Sequence, residues 1–230
     1  MSLGQDLKAM VDDIIQSLWS ERDGRVVPAD TDVKLLNDCV RLDATVLYAD
    51  LDESTNLVDE YEPHFAAEVY KTYLHCASKI VRSEGGAITS FDGDRVMAVF
   101  LGDSKNTAAA RTALKLNWAT VNLINPAIEK QYGPNKYTVH HVVGVDTSVL
   151  HAVRSGIRGS NDLVWVGRAA NHAAKLCTLP AKYSSRITAE VYDAMNKSTK
   201  FSAERSMWEK VTWNTTGREI YRSTWMWKVE

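Results

Sequence analysis

One apolar run that ends on acid constrains this chain most. Residues 45–49, Thr-Val-Leu-Tyr-Ala, read as a buried strand. The run stops at Asp50 and continues as Leu51, Asp52, Glu53, Ser54 and Thr55. Ser and Thr favour N-cap positions, so a helix is expected to follow at once. Asp50 then lies at the carboxyl end of a strand, beside the free N–H groups of a helix start. Such a place offers a carboxylate to a cation and donors to phosphate oxygens.

A second stretch, Ser90-Phe91-Asp92-Gly93-Asp94-Arg95, answers the first. Residues 87–91 and 95–101 read as the arms of a hairpin, with Asp92-Gly93 as its turn and Asp94 opening the second arm. Antiparallel pairing of that arm with the 45–49 strand brings Asp50 and Asp94 to face each other at one edge. Two close carboxylates repel, and each costs free energy to desolvate. A divalent ion relieves both costs, and paired ions suit phosphoryl chemistry. The other reading is that both acids are solvated turn residues, as most aspartates are.

Periodicity places the remaining elements. Residues 4–20 carry Leu7, Met10, Val11, Ile14, Ile15 and Leu18 at helical spacing, an amphipathic helix with one apolar face. Residues 21–43 read as an irregular connector. A long helix is expected over 55–84, interrupted or restarted at Pro63 and ended by Gly85-Gly86. After the hairpin come a second helix over 104–130 and a strand over 137–146. The order strand, helix, strand, strand, helix, strand is the split βαβ arrangement of ferredoxin-like α+β folds. In that fold the first and third strands are antiparallel neighbours. Beyond it the sequence predicts a hairpin of 149–153 with 163–166 across a polar loop, and a short helix over 169–177. A strand at 186–188, a helix over 189–196 and a hairpin over 207–229 complete the chain. Four of the seven tryptophans, Trp208, Trp213, Trp225 and Trp227, fall in that last segment. A packed sheet face explains them better than an aromatic wall beside a ligand.

Composition removes several classes of function. A net charge of −2 gives no global field for nucleic acid or an anionic membrane. No apolar run approaches the roughly 18 residues of a membrane span. The start of the chain lacks the basic and apolar segments of a secretory signal. Cys39, Cys76 and Cys177 are odd in number and scattered, which suits buried reduced thiols in a cytoplasmic protein.

The two acidic stretches, the element order and a late Asn-His-Ala-Ala-Lys helix together resemble the class III nucleotide cyclases over residues 41–225. The resemblance implies a ferredoxin-like βαββαβ core with additional C-terminal strands and helices. It makes residues 1–40 an N-terminal helix and connector, and residues 41–230 the catalytic domain. It assigns two divalent ions, Mn²⁺ or Mg²⁺, to Asp50, Asp94 and the backbone carbonyl of Leu51. Transition-state roles fall to Asn171 and Lys175, where Lys175 replaces the usual Arg and so keeps the charge but loses the bidentate fork. Glu53, Ser54 and Thr55, with Lys210 and Arg218, become candidate phosphate contacts. In this family the metal acids and the Asn-Lys pair come from different subunits, which implies a homodimer.

The positions that read the purine in adenylyl cyclases of this class are here Ser90 and Val164, with Asp162 two residues from the latter. A small hydroxyl and an apolar side chain read purines poorly, because unpaired buried polar groups discriminate strongly. Tyr48 narrows the pocket floor, and Arg95 puts a bulky cation beside the second acid. Both suit a smaller base with carbonyl acceptors. The segment with Trp19, Arg22-Asp23-Gly24, Pro28 and the run from Leu42 to Leu51 is similar to the pyrimidine cyclases of bacterial Pycsar anti-phage systems. That resemblance implies conversion of UTP to cyclic UMP, or of CTP to cyclic CMP, and a separate effector that responds to the product. UTP is preferred because uracil presents two carbonyls to Arg95 and Ser90. Adenylyl cyclase activity and an inactive nucleotide-binding module are the further alternatives. A diguanylate cyclase is disfavoured by the absence of a Gly-Gly-Asp/Glu-Glu-Phe turn.

Overall fold

The computed structural model describes residues 2–230. Helix α1 (Leu3–Gln16) is followed by β1 (Ser20–Asp23), a 3₁₀ turn (Asp30–Asp32) and the long β2 (Asp38–Leu51). Next come α2 (Ser54–Glu60), α3 (Pro63–Ser83), and the hairpin β3 (Ala87–Asp92) and β4 (Arg95–Phe100). Helices α4 (Lys105–Ala119) and α5 (Asn125–Tyr132) are joined by a π-helical turn (Thr120–Ile124) and lead into β5 (His141–Ile157). The rest is β6 (Ser160–Val166), α6 (Arg168–Cys177), β7 (Ser185–Thr188), α7 (Ala189–Ala194) and α8 (Lys197–Lys200). A two-residue pair, β8 (Phe201–Ser202) with β9 (Arg205–Ser206), precedes the last hairpin, β10 (Glu209–Trp213) and β11 (Arg218–Ser223).

One mixed sheet runs in the order β10-β11-β7-β5-β2-β4-β3, with β1 added to β2 and β6 to β5. Its βαββαβ core is the predicted one, and β2 and β4 are antiparallel neighbours. β2 is buried along most of its length because both faces of the sheet are covered. Leu47, Ala49 and Leu51 enter the core under α3 and α4, while Ala44, Val46 and Tyr48 face α6. This is the period-two alternation of a strand. Asp50 therefore shares the α6 face with Tyr48.

Several boundaries differ from the sequence reading, each for a local reason. The expected connector contains β1, which runs parallel to the start of β2. Pro63 starts a new helix, the restart that the sequence allows there, whereas the 104–130 helix is broken by its π turn. Ser54 and Thr55 are the first residues of α2, not its cap. The cap position is Glu53, at φ 55°, with no side-chain bond to the helix. The β3–β4 turn is Gly93-Asp94, one residue later than expected, because Asp92 pairs with Arg95. The predicted strands at 137–146 and 149–153 are one strand, β5, and their supposed loop partner is a tight hairpin to β6. The tryptophans pack inward: Trp208 and Trp213 are buried, and Trp225 and Trp227 lie against the core. α1 differs from all of these, since no residue of it is buried.

Gly144 in β5 shows how α6 is seated. A Cβ there would come within 2.2 Å of the Ala173 carbonyl oxygen, so only glycine lets the helix lie this close to the sheet.

Candidate active site

The register of three strands builds the site. Tyr48 of β2 pairs with Met97 of β4, and Met97 with Ser90 of β3, so the three lie in one row on the α6 face. One step along, Asp50, Arg95 and Asp92 form the next row, with Asp94 in the adjoining turn. Asp50, Asp94, Arg95 and Ser90 are all partly buried.

The charge of Asp94 bears on Asp50. Burial, and next the negative charge of Asp94, push the Asp50 carboxyl up to about 6, and the Arg95 cation only partly offsets this. Asp94 Oδ2 is buried with no hydrogen-bond partner. A buried carboxylate oxygen left unsatisfied beside a second strained carboxylate is costly, and a cation between them would relieve it. Among the described residues no three His, Cys, Asp or Glu side chains converge. An ion here would therefore need backbone and substrate oxygens as further ligands, which hard divalent cations accept. Leu51 has its side chain buried in the α3–α4 core, so only its backbone can contribute.

Arg95 is held in place by Asp92 at 2.7 Å, and its guanidinium carbon lies 5.4 Å from the Tyr48 ring centroid. Its Nε is buried and without a partner. A rigid guanidinium with an unused donor, set over an aromatic ring, suits a planar ligand with carbonyl oxygens.

Sequence reasoning missed the layer behind these groups. The Cys177 thiol donates to the Tyr48 carbonyl at 3.0 Å and accepts from the Gly144 N–H at 3.2 Å. Its burial holds the thiol far above the ordinary range, so it is a neutral strut. The Tyr73 hydroxyl reaches the Asp50 carbonyl at 3.5 Å and His141 Nδ1 at 3.2 Å. Burial drives the His141 pKa down to about 3, which keeps the ring neutral. No sequence pattern marks these residues; His141 lies directly opposite Leu51 once the strands are in register.

The other predicted residues are elsewhere on the chain. Asn171 and Lys175 are exposed one turn apart on the outer face of α6, while Ala169, Ala170, Ala173 and Leu176 bury the inner face. Among the described residues neither bonds to Asp50 or Asp94. The fully buried Asp146 fixes the start of α6 by accepting from Arg168 and from the Thr188 hydroxyl at 2.6 Å. Val164 is 45% exposed on the outer side of β6. Glu53, Ser54 and Thr55 follow the end of β2 directly. Arg218 is ion-paired to Glu190 at 2.7 Å on the far hairpin. Lys210 pairs with Glu219 at 2.6 Å. It lies on the α7 face of the sheet with Tyr221, opposite to the face of Asp50.

No protein-family model matches the chain. It is 49% identical over 232 residues to a uridylate cyclase of Xanthomonas perforans, covering all of both chains. A uridylate cyclase of Burkholderia cepacia is 48% identical over 231 residues, again over the full length of both. The chain belongs to the uridylate cyclase family. Among solved structures, the adenylyl cyclase CyaB from P. aeruginosa superposes with a TM-score of 0.67 at 22% identity. That match covers 80% of this chain and 94% of the other, and gives the cyclase its class III fold. Among the described residues no helix is long and apolar enough to cross a membrane.

Proposed function

We propose that this enzyme converts UTP to 3′,5′-cyclic UMP and pyrophosphate, at sites formed between two copies of the chain. The observation that carries this is the acid pair: Asp94 Oδ2 buried without a partner beside an Asp50 carboxyl raised to about 6. Asp50 and Asp94, with the Leu51 carbonyl, would hold two divalent ions, Mn²⁺ or Mg²⁺. When bound, these ions lower the pKa of the ribose 3′-hydroxyl and neutralise charge on the phosphoryl oxygens.

The chain's own residues do the rest. Backbone N–H groups of Glu53, Ser54 and Thr55 meet phosphate oxygens. Arg95, stacked on Tyr48 and held by Asp92, donates to a uracil carbonyl, and Ser90 supplies a smaller donor in the next row. An amino group at the same place, as on cytosine, would face a guanidinium that can only donate. The 3′-oxygen attacks the α-phosphorus in line and pyrophosphate leaves. The second copy brings Asn171 to orient the reacting groups and Lys175 to balance charge that grows on the phosphoryl oxygens. Exposure of both residues on α6 supports a partner surface there, and makes a homodimer with two equal sites the working assembly. Val164 of the second copy would close the base pocket.

We further propose that the product is a second messenger in anti-phage defence, read by a separate effector, in the cytoplasm. The likeness of the segment from Trp19 to Leu51 to the Pycsar cyclases motivates this reading, and the full-length similarity to uridylate cyclases supports its product alone. The test is to incubate the protein with UTP and Mn²⁺ and follow cyclic UMP and pyrophosphate together. Equal amounts of both, lost in Asp50→Ala and Asp94→Ala, are expected. UTP turnover that survives either substitution would overturn the metal assignment.

A further inference from the structure

One buried cation has no part in the reaction just described. Arg186 of β7 is 4% exposed. Its guanidinium donates to the backbone carbonyls of Tyr183 at 2.8 Å and of Pro180. Among the described residues it makes no ion pair. A guanidinium carries five N–H donors, so two carbonyls leave hydrogens unspent. Burying an unpaired charge is expensive, which a bound anion would offset. The burial is strong enough to pull the Arg186 pKa down to about 10.

Arg186 borders a cavity of about 180 Å³ between the α6–β7 connection and the β10–β11 hairpin. Arg222, Trp213, Asn214 and Thr215 line the same space. Arg222 is held by Glu209 at 2.8 and 3.0 Å and lies 3.9 Å from the Tyr183 ring centroid, so it is a fixed second cation. The cavity is on the functional side of the sheet. Arg186 pairs in register with Gly144, whose Cβ direction points at α6. Trp213, one wall of the cavity, meets the His172 ring at 5.4 Å, next to Asn171. The acid whose charge bears on Arg186 is Asp52, two residues beyond Asp50.

We propose that this cavity binds a phosphate-type oxyanion, either free diphosphate or the terminal phosphates of a nucleotide. Arg186 is the principal ligand, Arg222 offers the N–H donors that Glu209 leaves free, and the side chains of Asn214 and Thr215 add donors at the mouth. Two guanidiniums at a small cavity whose other walls are Leu179, Val211 and Ile220 match the several oxygens of a phosphate better than a single carboxylate. The choice of diphosphate rests on the cyclase reaction proposed above, which releases it; the unpaired buried charge does not.

The experiment is calorimetric titration of the full-length protein with inorganic pyrophosphate in chelator at pH 7.5. Without metal, the Asp50–Asp94 pair repels anions, and the Arg186 and Thr215 variants decide whether saturable binding belongs to this cavity. The proposal expects saturable binding to the unaltered protein, weakened roughly tenfold or more in Arg186→Gln, as loss of a charge-assisted contact implies. Thr215→Glu is an exposed change at the cavity mouth that leaves the buried guanidinium intact. It should weaken binding as much, with no change in thermal unfolding. The double variant Asp50→Asn, Asp94→Asn should bind pyrophosphate at least as tightly as the parent. UTP that displaces pyrophosphate assigns the cavity to the nucleotide tail, and UTP that does not assigns it to the free anion. Absence of saturable binding to the unaltered protein, or binding by Arg186→Gln and Thr215→Glu as tight as the parent's, overturns the proposal. Turnover is not read here, so either result leaves the cyclase assignment to its own test.

Discussion

Replacing Asp50 with asparagine should make the metal-free protein more stable while abolishing its activity. The folded structure raises this carboxyl from an ordinary 3.8 to about 6, because burial and Asp94 both oppose its charge. That difference is worth about 3 kcal/mol, as an upper figure for a partly buried group. The sign follows from proton linkage. A carboxyl with a raised pKa binds its proton more tightly when folded, so its stabilising contribution is complete below about 3.8. That contribution is lost as the pH climbs through about 6. At pH 7.5 in chelator the parent therefore carries the whole penalty, and Asp50→Asn carries none. For a chain of this size, melting temperatures move by about 2–4 °C per kcal/mol, so the variant should melt up to about 6–12 °C higher. At pH 4 the two should converge. With Mn²⁺ at about a thousand times its Kd the order should reverse, since binding then adds about 4.1 kcal/mol to the parent alone. Thermal unfolding by circular dichroism from pH 4 to pH 8, with and without metal, reads all of this. A variant no more stable than the parent at pH 7.5 in chelator, or a gap that stays constant with pH, would refute the reasoning.

Three further outcomes follow from the site. Asn171→Ala should lower kcat by about a hundredfold or more, as loss of one preorganised donor does, and mixing it with inactive Asp50→Ala should restore about a quarter of parental activity through heterodimers with one intact site; a mixture as inactive as its parts would place both halves in one chain. Arg95→Ala should raise the KM for UTP by roughly tenfold or more, the cost of an unpaired carbonyl, and narrow the preference for UTP over CTP; steady-state kinetics on both nucleotides decide it. Gly144→Ala should cost at least about 1–3 kcal/mol by forcing α6 off the sheet and should depress activity with it; urea unfolding with a midpoint equal to the parent's would contradict that seat.

How much of this was legible in the sequence varies from element to element. The end of β2 could be read because both faces of that strand are buried, so its apolar run is continuous and Asp50 breaks it sharply. The hairpin could be read too, but Asp92-Gly93 and Gly93-Asp94 are equally good turn pairs, and only pairing with Arg95 chooses between them. In the sequence, Thr147 and Ser148 interrupt the apolar pattern of β5. In the fold the Thr147 hydroxyl donates to the Ala44 carbonyl at 3.1 Å, and Ser148 accepts from the Ala169 N–H at 3.0 Å. Polar residues that serve the sheet and the helix cap leave no trace in an apolar pattern. Nor could alternation alone reveal that Lys210 turns to the α7 face while Arg186 turns to the α6 face, because register across the β7–β11 pairs decides it. The struts behind the site, Tyr73, His141 and Cys177, come from three separate elements and meet only through packing.

What the enzyme makes when it can choose tests the assignment of its base most directly. Purified protein with Mn²⁺ and an equimolar mixture of UTP, CTP, ATP and GTP, followed by mass identification of cyclic products, gives that answer in one tube. Cyclic UMP should dominate, through Arg95 and Tyr48 beside the acid pair. Cyclic AMP as the main product, or no cyclic product at all, would contradict it.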